Sequence, residues 1–163
     1  MSQGRLFGSD VFDPKFIIIQ ILSLQAIYYS SSCAFTVLFD QLLGLNIHIS
    51  QIFSTSVLNL QDAYSLASVL ACILVSFILI ISIVLIVERA SKCLDFGSTI
   101  LILHVVCVTF YEGFPTNLIW WGLNLVAFFV IVIVSEFLCI KIEQKEISLT
   151  WIDKKNEKKQ ALP

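Results

Sequence analysis

From Ser65 to Val87 the chain runs without a charged residue, and its second half, Ile78-Leu79-Ile80-Ile81-Ser82-Ile83-Val84-Leu85-Ile86-Val87, is interrupted only by one serine. At about 1.5 Å per residue, a helix over this run crosses the roughly 30 Å hydrocarbon layer of a bilayer. Three other runs approach the same requirement: 16–39, about 94–111 with His104 inside it, and 119–140, whose one acid is Glu136. The chain has 163 residues, of which 58% are hydrophobic and 13% charged, with a mean hydropathy of +0.91. A soluble fold of this length cannot enclose so much apolar surface. The runs are continuous rather than alternating, which excludes a membrane barrel. The expectation is an all-α membrane protein with four transmembrane helices, because only a helix satisfies every backbone group within a single span.

The charges give this bundle a direction. Arg5 and Lys15 precede the first span, Arg89 and Lys92 lie between the second and third, and Lys141, Lys145, Lys154, Lys155, Lys158 and Lys159 follow the fourth. Neither 40–64 nor 112–118 contains a Lys or Arg, so all 10 cations fall on one side of a four-span arrangement. Cytoplasmic segments retain positive charge, which predicts that both termini are cytosolic. The expected organisation is a cytosolic leader at 1–15, a four-helix transmembrane domain at 16–140 and a cytosolic tail at 141–163. Asp10 and Asp13 ahead of the first run argue for a retained anchor rather than a cleaved signal. A net charge of −2 without a basic patch excludes nucleic acid as a partner. No internal repeat relates the first two spans to the last two, which weakens an inverted-repeat transporter.

Polar residues at membrane depth are the candidates for function. Gln25, Tyr28, Tyr29 and Ser32 share one helical face, and Gln20 adds an amide nearer the start of the same span. This stripe is read either as packing that hydrogen-bonds neighbouring helices or as a groove for a ligand or a partner's helix. Ser68, Cys72 and Ser76, with Ala71 beside them, form a small-residue face suited to close packing. His104, Cys107 and Tyr111 share a face of the third span, but two metal-ligand types without a convergent third do not make a zinc or copper site. Glu136 is expected to pair with Arg89, Lys92 or Lys141. No Cys-x-x-Cys pair occurs; Cys93 and Cys139, next to the membrane surface, are candidates for acylation. The short link after Val87 predicts that the second and third helices form a tight antiparallel pair, and Phe114-Pro115 ahead of Trp120-Trp121 predicts interfacial aromatics. The tail reads as a continuing helix at first and as disorder at its lysine-rich end, where its cations can attract anionic lipid. No metal or other cofactor is called for.

Several motifs, in order along roughly 12–149, resemble the Sys family of Golgi four-span integral membrane proteins. They are Asp13-Pro14, Gln20-Ile21, Gln25 with Tyr28-Tyr29, Lys92-Cys93-Leu94-Asp95-Phe96, His104, Phe114-Pro115, Leu118, Trp120-Trp121, Glu136, Leu138-Cys139, and Glu143 with Lys145-Glu146-Ile147. Phe12 departs from a tryptophan often found there, and Ser135 and Phe137 flank Glu136 where Gly and Tyr are familiar. The resemblance implies residence in the Golgi, mainly its trans side, and a role in vesicle traffic between Golgi and endosomes. It also implies a membrane receptor for an Arf-related small GTPase whose acetylated N-terminal segment needs a docking partner. The expected docking face comprises Arg89, Lys92, Asp95, Glu136, Glu143, Lys145 and Glu146, which cluster at one end of adjacent helices; the alternative is that Lys92, Asp95 and Glu136 form an internal network pinning helix ends. A small transporter or channel using Gln25, Tyr28, His104 and Glu136 is the competing function. An enzyme is not expected, since neither Gly-x-Ser-x-Gly nor His-Glu-x-x-His occurs.

Overall fold

In the computed structural model the described residues are 14–48, 50–53, 63–87 and 89–160, with side chains described as far as Lys145. The chain forms α1 (Pro14–Leu42), a short α2 (Ser50–Phe53), α3 (Ala63–Val87), a 3-10 turn (Ala90–Lys92), α4 (Cys93–Tyr111) and α5 (Leu118–Gln160). Among the described residues there is no strand, and four helices are long and apolar enough to cross a membrane.

Helix ends follow local chemistry. Proline at the start of α1 costs no helical hydrogen bond, because the first amides have no intrahelical acceptor. At its far end Gly44 adopts φ 67° and the Leu45 amide reaches back 2.8 Å to the Asp40 carbonyl, closing the last turn in the left-handed manner that glycine permits. α4 stops where Gly113 turns to φ 105°. Asn117 then caps α5: its Oδ1 accepts from the Ile119 amide at 2.9 Å. The indole of Trp121 donates to the Pro115 carbonyl at 2.9 Å and ties this turn to the helix it precedes.

Packing departs from the simplest antiparallel sequence of neighbours. Despite their short link, α3 and α4 are not the close pair expected; α3 packs chiefly on α1 and α5, and α4 on α5. One cause is steric: Gly97 on α4 lies against Val132 and Phe128 of α5, so near that a Cβ at this position would stand 2.7 Å from Val132 Cγ2. On α3 the tightly buried row is Ala67, Ala71, Val75, Leu79, Ile83 and Val87, a four-residue ridge that packs into neighbouring grooves. It lies one residue round from the Ser68–Cys72–Ser76 face expected to do this. Leu79, Ile83, Val87, Cys93, Phe96 and Cys139 belong to a core toward the α3–α4 link. A smaller cluster around Val108 and Trp120 closes the other end. Many large apolar side chains, including Phe77, Leu85 and Phe137, point outward, as expected where the solvent is hydrocarbon. α5 continues as one helix to Gln160, so the lysine-rich stretch expected to be disordered is helical that far.

Candidate functional site

The polar residues separate into two groups at different depths. At the link end, Gln20 Nε2 donates to the Ile86 carbonyl at 2.6 Å, joining α1 to the last turn of α3. The Ala90 amide donates to Glu143 Oε1 at 3.0 Å, so α5 holds the start of the 3-10 turn. Cys93 and Cys139 are both buried, with sulfurs 3.6 Å apart; a thiol enclosed in this way offers no surface for the acylation considered above. Their contact sets α4 against antiparallel α5. Asp95, two residues past Cys93, and Glu136, three residues before Cys139, thus lie about 3–5 Å further into the bundle.

Asp95 and Glu136 are both exposed. Neither makes an ion pair among the described residues, so the pairing of Glu136 with Arg89, Lys92 or Lys141 is not formed. Lys141 instead lies over the Phe137 ring, 4.5 Å from its centroid. Nor do Lys92, Asp95 and Glu136 form a mutual network. Arg89 and Lys145 are exposed and Lys92 and Glu143 half-buried, while the side chain of Glu146 lies outside the described residues. Six of the seven expected docking residues therefore lie at one end of the bundle, and Glu143 is the one that braces the link.

The second group surrounds an internal cavity of about 110 Å³, partly open, with walls from all five helices. Gln20, at the other end, is not part of it. His104 is 4% exposed. Its ring stacks on Trp120 with centroids 5.8 Å apart and meets Tyr28 edge-on at 5.2 Å, and its Nδ1 stands 3.5 Å from the Tyr29 hydroxyl. Trp120 is thus a buried neighbour of His104. Ser68 and Ser76, which line the cavity, donate within their own helix to the Tyr64 and Cys72 carbonyls at 2.9 and 2.8 Å, the usual resort of a serine in a helix surrounded by lipid. Gln25 is enclosed with neither amide atom hydrogen-bonded.

Three contributors were not identified in the sequence. Thr36 and Gln51 line the cavity near α2, and Asn124 does so from α5. Asn124 carried a signal, as an amide inside an otherwise apolar run. Gln51 carried none, because its place depends on Asp40: Gln51 Nε2 donates to Asp40 Oδ2 at 2.9 Å, and the Asp40 side chain is fully buried. Among the described residues no group of three or more His, Cys, Asp or Glu side chains is gathered as a metal site.

Comparison with known proteins bears on the whole of this architecture. A family model described as "Integral membrane protein S linking to the trans Golgi network" matches residues 7–149. A SYS1 homolog from Nematostella vectensis is 32% identical over 144 residues, 88% of this chain and 92% of its own length. One from Dictyostelium discoideum is 30% identical over 140 residues, 86% of this chain; the match spans only 60% of that relative's length. The SYS1 protein of Saccharomyces cerevisiae is 25% identical over 133 residues, 81% of this chain and 66% of its own length. No solved structure matches. With the family match covering all four candidate membrane spans and both groups of polar residues, the chain belongs to the SYS1 family of integral membrane proteins.

Proposed function

We propose that this chain is a multi-pass Golgi membrane protein, of the trans side, that serves vesicle-mediated protein transport between Golgi and endosomes by recruiting an Arf-related small GTPase. The observation that carries the reading is the pair of exposed acids, Asp95 and Glu136, at one depth beside a link that Glu143 holds in place. Exposed carboxylates close to the end of a membrane span that make no ion pair among the described residues are costly, so a surface of this kind gains from a segment that donates hydrogen bonds or positive charge. An amphipathic GTPase segment has only modest affinity for bare lipid. Adding a protein contact to the lipid contact raises its effective concentration at the membrane and supplies an address. The family description, which names the trans Golgi network, supports the location.

This reading requires the link and both termini to face the cytosol, as the confinement of all 10 cations to one side supports. Protease added to sealed Golgi vesicles is expected to remove tags from both ends; a glycosylation acceptor at the C-terminus that becomes modified would reverse the topology. Docking is tested by Lys92→Glu and Asp95→Lys, made singly. Each is expected to shift the GTPase from Golgi membranes to the cytosol while the variant itself stays at normal level and place. Unchanged GTPase localisation in both variants rejects the docking face.

A transport function has the polar cavity in its favour, but among the described residues the cavity meets packed side chains on one side. Toward the link the cavity gives way to the packed core that contains Leu79, Ile83 and the Cys93–Cys139 contact.

A further inference from the structure

The internal cavity is graded along its length. On α3 its wall runs from Ser68 to Leu79, about 16 Å at the helical rise. The α2 end is polar, with Thr36, Gln51 and Ser68, whereas the opposite end is walled by Leu79, Ile100 and Ile131. Asp40 fixes the orientation of the Gln51 amide. A carboxylate oxygen only accepts, so the NH2 group faces Asp40 at 2.9 Å, and Gln51 Oε1 is left buried without a hydrogen-bond partner on a side chain only 9% exposed. A buried acceptor of this kind requires a donor.

The walls limit what that donor is. None of the lining residues is Asp, Glu, Lys or Arg; the Asp40 carboxylate behind Gln51 repels an anion, and no lining side chain pairs directly with a cation in this low-dielectric site. Water alone satisfies Gln51 but finds no partners along the Leu79, Ile100 and Ile131 end, and cavity water needs two to four of them. An amphiphile satisfies both ends. At about 110 Å³ the space is somewhat below the roughly 150 Å³ that admits benzene. It therefore encloses the hydroxyl-bearing end of a lipid, with the remainder in the open side.

We infer that the cavity binds an uncharged lipid alcohol, a sterol or a diacylglycerol, whose hydroxyl donates to Gln51 Oε1 while its adjoining carbons lie along the Ala71–Leu79 wall. This binding is separate from GTPase docking and does not depend on it.

The test uses the purified full-length protein in phosphatidylcholine nanodiscs, photolabelled with an alkynyl photoreactive sterol or, in a parallel arm, an alkynyl photoreactive diacylglycerol. At least one probe is expected to label saturably, with adducts on cavity-wall residues. The unlabelled parent alcohol should compete at least tenfold better than its O-methyl ether, which keeps the shape and loses the donor. Ala71→Phe, which fills the slot, should lower labelling at least fivefold in protein that elutes and melts as wild type; if that variant does not fold, the ether competition in the wild type decides. The arm that labels identifies the lipid class. Labelling by neither probe, adducts outside the cavity walls, or equal competition by the ether overturns the proposal.

Discussion

Gly97→Leu is expected to be the most damaging single substitution in the bundle, lowering stability by about 3 kcal/mol or more, above the usual range for an overpacked core. The first added carbon would meet Val132 Cγ2 at 2.7 Å, with Phe128 Cε2 at 3.6 Å behind it. Val132 is buried and β-branched, so it has few rotamers through which to withdraw. Glycine to alanine in a helix interior ordinarily gains about 1 kcal/mol from propensity; here that gain opposes the cost of prising α4 from α5, so Gly97→Ala should be close to neutral or mildly destabilising. Leucine has no such offset. Thermal unfolding in detergent, followed by aggregation onset on size-exclusion chromatography, measures both. A Gly97→Leu protein that melts with the wild type would show that the α4–α5 crossing is not as close as described.

Gln51→Leu is expected to cost about 3 kcal/mol, because it leaves a fully buried Asp40 without its amide donor. The diagnostic result is the double variant. Replacing both partners by apolar groups removes the stranded polar atom along with the bond, so Asp40→Leu combined with Gln51→Leu should regain most of the lost stability. A cycle in which the two losses simply add would mean that the residues are not energetically coupled and that the bond contributes nothing specific. The measurement is again thermal melting, of the two single variants and the double one beside the wild type.

These two predictions mark the limit of what the sequence discloses. The four spans were legible because crossing a membrane depends on length and hydropathy, which a run such as Ile78–Val87 states outright. The grouping of Tyr28, Tyr29 and His104 was half legible: helical spacing put the tyrosines on one face, and an imidazole at membrane depth demands company, but nothing in the chain showed that Trp120 would stack on it. Periodicity also failed to distinguish the packed row of α3 from the Ser68–Cys72–Ser76 row beside it, since a single residue of rotation separates them and both begin with small residues. Gly97, Gln51 and Glu143 were the least legible in their roles, because each depends on a partner in another element, on Val132, Asp40 and the Ala90 amide in turn. For Glu143 the sequence suggested a charge offered outward; the structure has it holding the link from within.

The unbroken length of α5 has a mechanical consequence. Lys154 to Lys159 lie about 20–27 Å beyond Lys141 along a continuous helix, more than twice the roughly 8 Å over which physiological salt screens a charge. Standing upright, such a helix carries its last turns out of the field of the lipid headgroups; leaning, it brings them back toward the surface. The reach of this protein beyond its bundle is therefore that of one uninterrupted helix.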